Sequence, residues 1–512
     1  MIRRALLSVY DKTGLAAFAE GLHGLGVELV ASGGTATFLA DLGLPVTPVE
    51  SITETPETLG GRVKTLHPRI HGGILARRDV EGDMRALVEQ GIGPIDLVCV
   101  NLYPFEQAVA GLAFAEAEAI EMIDVGGPAL LRAAAKNSAH VVPVCRAERY
   151  ADVLDELRAR GDVGPATRRA LAVEAFSTTA GYDGAIAAWL GSDGVFPETF
   201  TPVFDKQLEL PYGENPHQRA SYYVERRART NLLSQVDQLH GKPLSYNNLN
   251  DLSAARLLSL ELAGPAAVIV KHANPCGVGV AATIEESYEK ALAADPVSAY
   301  GAVVVLNRAV TAALGELLAQ QFVEVLFAPG YDETAIETLV RKPSLRILND
   351  LERRTFAAAE LDYKRVLGGL LVQDRDVQRN DAGELEVVCG EVADERWGDL
   401  LFAWTVVKHV ASNAIVLAKD GQTVGVGAGQ TSRVDAVRIA VEKARALGHS
   451  PAGAVLASDA FFPFPDGPRL ALEAGVTAII QPGGSKRDEE VAAAVRDAGA
   501  VMVFTGRRHF RH

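Results

Sequence analysis

Short apolar runs rich in β-branched residues alternate with stretches of helical period, and this rhythm restricts the chain more than any other feature. Residues 5–9, 27–31, 96–102 and 141–145 read as strands, and 45–49 as extended. Residues 15–25, 35–42, 128–136, 147–160 and 165–190 read as helices. Alternation of this kind predicts a parallel sheet with helices on both faces. Ligands of such sheets bind outside the carboxyl ends of the strands, so chemistry is expected just after strands. Residues 191–202, rich in Gly, Ser, Asp and Pro, read as a linker. A second α/β region has strands at 267–270, 302–306 and 323–327. The polar segment 373–386 reads as a seam, and the last strands fall near 423–426, 454–457, 478–481 and 501–504. The expected division is a first domain at 1–190, a linker at 191–204, and two α/β lobes at 205–375 and 376–512.

Composition narrows the class. Of 512 residues, 48% are apolar and 22% charged, which is ordinary globular usage. The net charge of −15 works against non-specific nucleic-acid binding and against anionic membranes. It leaves room for a small anionic substrate in a locally basic pocket. Cys99, Cys145, Cys276 and Cys389 are scattered without a CxxC, which argues against a cysteine zinc site or disulfide scaffold and fits a reducing, cytoplasmic setting. The apolar run after Arg3-Arg4 stops at Asp11-Lys12, short for a secretory leader. No run is long enough for a membrane helix.

Several motifs sit at predicted strand ends. Ser32-Gly33-Gly34-Thr35 opens a helix and suits a phosphate, although a capped βα turn explains the same residues. Gly60 to Pro68 sets Arg62, Lys64 and Thr65 after paired glycines, which suits an anion; the alternative is a solvated basic loop. His67 and His71 stand four apart, but Pro68 lies between them and no third ligand is near, so a metal is not expected. Asn101 to Phe105, Asp124 to Pro128, and Lys136 bring a phenol, a carboxylate and an ammonium to one region, an acid/base constellation. Tyr212 to Gln218 is a polar, proline-fixed loop. Lys271-His272-Ala273-Asn274-Pro275-Cys276-Gly277 follows an apolar strand and reads as a site. The zinc-deaminase signature that Pro275-Cys276 brings to mind is incomplete. Lys408-His409 and Ser412-Asn413 follow another apolar stretch. Residues 425–433 read as an anion loop ending in Arg433 in preference to a dinucleotide loop, and Gln481 to Ser485 as the start of a helix.

The strings SVYDKTG, SGGTAT, GGRVKTLHP, NLYPF, IDVGGPALLRAAAKN, YGENPHQ, KHANPCG, SNAIV, GVGAGQTSR, SDAFFPF, IIQPGGS and VFTGRRHFRH occur in one order across the chain. In this the chain resembles the bifunctional purine-biosynthesis family that joins AICAR transformylase to inosine monophosphate cyclohydrolase. The resemblance implies a methylglyoxal-synthase-like first domain carrying the cyclohydrolase and two cytidine-deaminase-like lobes carrying the transformylase. It also implies a homodimer. The implied substrates are AICAR, 10-formyltetrahydrofolate and formyl-AICAR, with no catalytic metal; a structural monovalent cation is left open.

For formyl transfer the resemblance implies His272 as base, Lys271 as its charge-stabilising neighbour and Asn413 as a positioning group. Arg433, Tyr212, Asn215 and His217 would contact the nucleotide. Phe461, Asp466, Pro482, Gly483, Ser485 and Phe510 would face the folate. For ring closure it implies Lys64, Tyr103, Asp124 and Lys136. Lys12, Ser32, Gly34, Thr35, Arg62, Thr65 and Asn101 would hold the nucleotide. Two positions depart from the family pattern: Pro211 and Pro465 stand where arginine is usual. Arg219 is a substitute cation for the first. Two rival readings follow, a cyclohydrolase that has lost efficient formyl transfer and a nucleotide-sensing module. The paired Lys271 and His272 argue against a sensor.

Overall fold

The parallel sheet expected of the first residues is present in the computed structural model. It describes the chain except residues 110–115, 192–195, 227, 229 and 353–359, which include part of the expected linker. Two units result, Met1–Val203 and Phe204–His512. In the first, β1 (Arg4–Val9), β2 (Glu28–Ala31), β3 (Val46–Pro48), β4 (Leu97–Asn101) and β5 (Val142–Val144) form an all-parallel sheet in the order β3-β2-β1-β4-β5. Its inner strands β1 and β4 are buried on both faces for most of their length. Phe18, Leu22 and Leu154 pack on one side, and Ile70, Leu130 and Leu131 on the other. Burying each such side chain favours folding by about 1.5–3 kcal/mol. The helix Pro165–Leu190 has the expected bounds, with proline in its first turn where the missing N–H costs nothing. Short helices at Val49–Thr53, Pro68–Leu75 and Glu81–Glu89 were not expected. Pro68 begins the second of them, and His67 caps it by accepting from the Arg69 N–H at 3.2 Å. His67 therefore has a local structural use.

The second unit begins with a hairpin of β6 (Phe204–Leu210) and β7 (Ala220–Glu225). Eight strands follow. They are β8 (Val236–His240), β9 (Ala266–Lys271), β10 (Asn274–Val280), β11 (Ala302–Leu306), β12 (Val323–Ala328), β13 (Arg346–Asp350), and the hairpin β14 (Leu361–Val366) and β15 (Gly369–Asp374). The last six are β16 (Glu386–Cys389), β17 (Ile415–Lys419), β18 (Gln422–Gly427), β19 (Val455–Ser458), β20 (Ala478–Gln481) and β21 (Val501–Phe504). Among the described residues, twelve of these strands form one mixed sheet in the order β16-β21-β20-β19-β17-β18-β10-β9-β11-β12-β13-β8.

Read outward from its middle, that order repeats itself. Each half has a helix, an antiparallel hairpin (β9–β10 or β17–β18), and three parallel strands linked by helices (β11, β12, β13 or β19, β20, β21). The halves meet where β10 runs antiparallel to β18, at Gly279 and Gln422. The repeat reaches individual residues at one constant offset: Lys271 and Lys419, Gly277 and Gly425, Val278 and Val426, Gly279 and Gly427. The glycines have the same reason in both halves. A Cβ would fall 2.0 Å from the Ala291 carbonyl oxygen at Gly277 and 2.2 Å from that of Ala440 at Gly425. This corrects the expectation of a glycine loop at 425–433, because Gly425 and Gly427 lie inside β18, where a helix packs against bare backbone. The two repeated helices, Tyr246–Glu261 and Asp394–Val407, share one core on one face of the sheet. The remaining helices cover the other face, with a separate core for each half.

Candidate active sites

In the first unit the ends of β1, β2 and β4 carry a polar cluster. Ser32 follows β2, and the helix Gly33–Asp41 starts at once. Its first amides, Gly34 included, have no intrahelical partner and favour an anion. Lys64 completes that corner, since a Cβ on Gly33 would lie 3.3 Å from its Nζ. Thr65 reaches a second helix start, its Oγ1 3.1 Å from where a Gly126 Cβ would stand. One loop thus sets a cation over one helix N-terminus and a hydroxyl over another. Lys64 pairs with Glu57 at 2.7 Å, and Arg62 pairs with Glu121. These exposed pairs are weak enough for a ligand to displace.

Three of the expected nucleotide contacts are engaged within the fold. Thr35 Oγ1 accepts from the Val9 N–H at 3.1 Å and donates to the Val9 carbonyl at 3.0 Å. Asn101 accepts from the Tyr10 and Asp11 amides at 2.5 and 3.1 Å, and donates to the Asp11 carbonyl at 2.8 Å. Lys12 donates to the Val9 and Tyr10 carbonyls, and burial pulls its pKa down. These bonds shape the loop after β1. Tyr103 is exposed and meets the Tyr10 ring edge-on at 5.1 Å.

Asp124 stands at the start of the helix Gly126–Lys136 and accepts from the Gly127 N–H at 2.8 Å. Burial pushes its carboxyl pKa up, against the pull of the Gly127 and Gly126 amides. Its own N–H donates to the Tyr182 hydroxyl at 2.8 Å. Lys136 lies in the last turn of that helix and is exposed. At about 1.5 Å per residue the helix carries it about 15 Å away, so the structure does not bring Lys136 to Asp124.

The second unit gathers its polar groups where the halves meet. His272 and Ala273 form the two-residue turn between β9 and β10, with φ of +52° and +58°. The carboxylate of Asp251 accepts from both amides, at 3.3 and 2.7 Å. Lys271 donates to the Tyr300 carbonyl at 2.7 Å. Asn274 donates to the His272 carbonyl at 3.0 Å and accepts from the Ala411 N–H at 2.9 Å, so it ties this turn to the loop carrying Asn413. Asn247, one helical turn before Asp251, donates to the Glu214 carbonyl at 3.2 Å. The helix Tyr246–Glu261 thereby docks the loop of Tyr212, Asn215 and His217 beside the turn.

Asn413 accepts from Arg433 at 2.7 Å and donates to the Gln430 carbonyl at 2.9 Å. Arg433 is buried, donates to Ser458 at 2.8 Å and forms an ion pair with the fully buried Asp459. Asp459 also accepts from Ser412 Oγ at 2.5 Å and from the Ala414 N–H at 3.1 Å. Phe461 and the loop of Pro482, Gly483 and Ser485 follow the adjacent strands β19 and β20. They are joined where the Phe462 N–H donates to Gln481 at 2.7 Å. That loop is already capped, for Asp488 accepts from the Gly484 and Ser485 amides at 2.6 and 3.0 Å. Asp466 accepts from the Gly467 amide at 2.8 Å, and the ring of Phe510 lies under Arg508 at 4.6 Å. The tail before Phe510 returns to Asp459, whose carbonyl accepts from the His509 N–H at 2.9 Å. Pro211 and Arg219, at the two ends of the Tyr212 loop, are exposed.

Sequence reasoning placed Asn274 in a candidate site but missed Asp251 and gave Asp459 no role. Asp459 carried a signal, a carboxylate just after an apolar strand. Asp251 matters through backbone amides that only the folded chain brings near.

Residues 134–443 match the model of the AICARFT/IMPCHase bienzyme family, and residues 14–129 match that of the MGS-like domain. The chain is 50% identical over 518 residues to the bifunctional purine biosynthesis protein PurH of Anoxybacillus flavithermus, covering 100% of both chains. It is also 50% identical over 530 residues to the protein of that name from Magnetococcus marinus, covering 100% of this chain and 99% of the other. A solved structure, described as the crystal structure of ForH, is 40% identical and covers 38% of this chain and 98% of its own, with a TM-score of 0.34. With a family model spanning more than half its length and full-length relatives at this identity, the chain belongs to the AICAR transformylase/inosine monophosphate cyclohydrolase bienzyme family.

Proposed function

We propose that each unit carries one of the two reactions that end the synthesis of inosine monophosphate. The family's reactions are formyl transfer to AICAR from a formyl-folate co-substrate, then ring closure. In this reading 10-formyltetrahydrofolate is the donor and the second unit is the transformylase. The carrying observation is the convergence of the His272 turn, the Asn413 loop and the Tyr212 loop through Asn274 and Asn247. The exocyclic amine of AICAR is a poor nucleophile, so its proton must leave as the C–N bond forms. His272, exposed on its turn, accepts that proton, and an imidazole works near neutral pH. Lys271 stabilises the oxyanion at the formyl carbon, and tetrahydrofolate departs with its nitrogen protonated. Asn413, fixed by Arg433, orients the reacting atoms. Phe461 and Phe510 offer exposed aromatic faces to the folate ring.

Ring closure belongs to the first unit. The carboxamide nitrogen attacks the formyl carbon within one molecule and water is lost, so the protein contributes geometry and polarisation. Ser32, Gly34, Arg62, Lys64 and Thr65 hold the phosphate end at the two helix starts. Asp124, its pKa raised by burial, carries the proton, and Tyr103 lies at the mouth. The family resemblance supports a homodimer, and the scattered cysteines support a cytoplasmic setting.

The test is His272→Ala, assayed separately for tetrahydrofolate release and for cyclisation of supplied formyl-AICAR. Transfer should fall by about 10²–10⁴-fold, the usual contribution of a general base, with cyclisation unchanged. Transfer at the wild-type rate removes His272 from the mechanism.

A further inference from the structure

The two repeated hairpins of the second unit, β9–β10 and β17–β18, each close with a two-residue turn, and the two turns differ in sequence. In β17–β18 the turn is Asp420-Gly421, with φ of +53° and +69°. Asp-Gly is a favoured pair for a two-residue turn that needs positive φ twice. In β9–β10 the same two positions are His272 and Ala273, also at positive φ. Histidine, like aspartate, tolerates positive φ better than most residues, but alanine has none of glycine's freedom there, so the strain falls on Ala273. The turn that presents the imidazole is therefore the strained one of the pair. Strain of this kind persists only where the surroundings over-determine it.

Each turn is gripped by an aspartate at the same place in its preceding helix. Asp251 accepts from the His272 and Ala273 amides at 3.3 and 2.7 Å, and Asp399 accepts from the Asp420 and Gly421 amides at 2.9 and 2.8 Å. For Asp-Gly the grip is redundant, since the sequence favours the turn unaided. For His-Ala it opposes the sequence. Asp251 is half-buried and also faces Glu324, and burial raises its carboxyl pKa against the two amides that lower it. A desolvated carboxylate spent on two backbone amides needs a reason, and the strained turn supplies one.

We infer that Asp251 is a positioning residue for formyl transfer, holding the His272-Ala273 turn in the left-handed conformation that aims the imidazole at the substrate. The inference rests on His272 being the base. Misplacing a reacting group by about 1 Å costs about 100-fold. Asp251→Asn should therefore lower kcat of transfer by about 10- to 100-fold, with KM for AICAR within about threefold and ring closure of supplied formyl-AICAR unchanged. Asp399→Asn, which loosens the redundant grip, should leave kcat within about twofold. Adding Ala273→Gly to Asp251→Asn should restore most of kcat, because glycine adopts the turn without help.

An Asp251→Asn enzyme that transfers at the wild-type rate overturns the inference, as does an equal loss in Asp399→Asn. If Asp251→Asn alone does not fold, the double variant decides. Restored transfer supports the grip, and a folded double variant that closes rings but does not transfer overturns it. His272→Ala, run alongside, separates the two levels: full activity there removes the base, whatever Asp251 does.

Discussion

The two halves of the second unit fill the position after their first parallel strand with opposite chemistry. In one, the residue after the first parallel strand is Asp459, fully buried, with Arg433, Ser412 and the Ala414 amide on its carboxylate. In the other, the residue after β11 is Asn307, whose side chain accepts from the Ala266 amide at 2.8 Å and donates to the Leu262 and Gly264 carbonyls at 3.3 and 2.7 Å. Ala266 and Ala414 are equivalent positions, so the same bond is made by a neutral amide and by a charged carboxylate. Asn307 closes its edge with backbone carbonyls. Asp459 organises a cation, a hydroxyl and, through Arg433, Asn413. A repeated architecture thus carries a charged polar cluster at one position and a backbone-capped amide at the other, and the difference lies in a few buried polar side chains.

The largest test of that comparison is to make the charged position resemble the neutral one. Asp459→Asn keeps an oxygen for the Ala414 amide and removes the charge opposite Arg433. Leaving one partner of a buried pair uncompensated costs about 3–5 kcal/mol. Chemical unfolding should show a loss of that order, transfer should collapse, and ring closure in the first unit should continue. A loss below about 1 kcal/mol, the range of an exposed pair, would mean that charge does not distinguish the two positions.

A second difference lies on the seam. Glu261 and His409 occupy equivalent positions at the ends of the two repeated helices and hydrogen-bond each other at 2.9 Å, with Lys408 donating to Glu261 at 3.3 Å. Two glutamates at these positions would meet as like charges, whereas glutamate and histidine attract. Burial lowers the pKa of His409, with Arg511 and Lys408 adding to the effect and Glu261 opposing it. For Glu261, burial acts upward, but His409 and Lys408 outweigh it and the net shift is down. The sign is the same for both. A depressed folded pKa means that the unfolded chain binds more protons, so stability is lost as pH falls. The loss from His409 begins near its ordinary value of 6.5 and that from Glu261 near 4.5. Thermal unfolding followed from pH 7.5 to 5 should show a falling midpoint in the wild type and a flatter one in His409→Asn. Equal slopes would remove His409 as the source.

How much of this was legible follows the same division. Strands 302–306, 478–481 and 501–504 were readable because runs of Val, Ile and Ala buried on both faces leave no other element of that length. The corner at Ser32-Gly33-Gly34 was readable because it is local: the same few residues follow a strand and start a helix. The hairpin β9–β10 was not, since His272-Ala273 has no turn signature and its shape is set by Asp251, which lies outside the motif. Asp420-Gly421 does carry that signature, just after the apolar run 415–418, and the repeated Lys and Gly-Val-Gly at a constant offset could have exposed the second hairpin and hence the first. The apparent glycine loop before Arg433 misled for a tertiary reason, because those glycines answer to a helix packed on the strand.

The smallest effect tests the turns alone. Ala273→Gly in the otherwise wild-type chain gives the first hairpin the glycine that the second has. Two terms oppose each other. Relief of left-handed strain at φ +58° is worth about 1–2 kcal/mol, whereas the extra freedom of glycine in the unfolded chain costs about 0.5–1 kcal/mol. The balance is a stabilisation of about 0–1.5 kcal/mol, read as a small rise in the urea midpoint at unchanged slope. Gly421→Ala should move the other way and further, since its Cβ would stand 2.7 Å from the Val280 carbonyl oxygen at φ +69°. If Ala273→Gly instead destabilises by more than about 1 kcal/mol, the alanine methyl contributes packing that outweighs the strain. The two turns would then differ by their neighbours and not by their backbone.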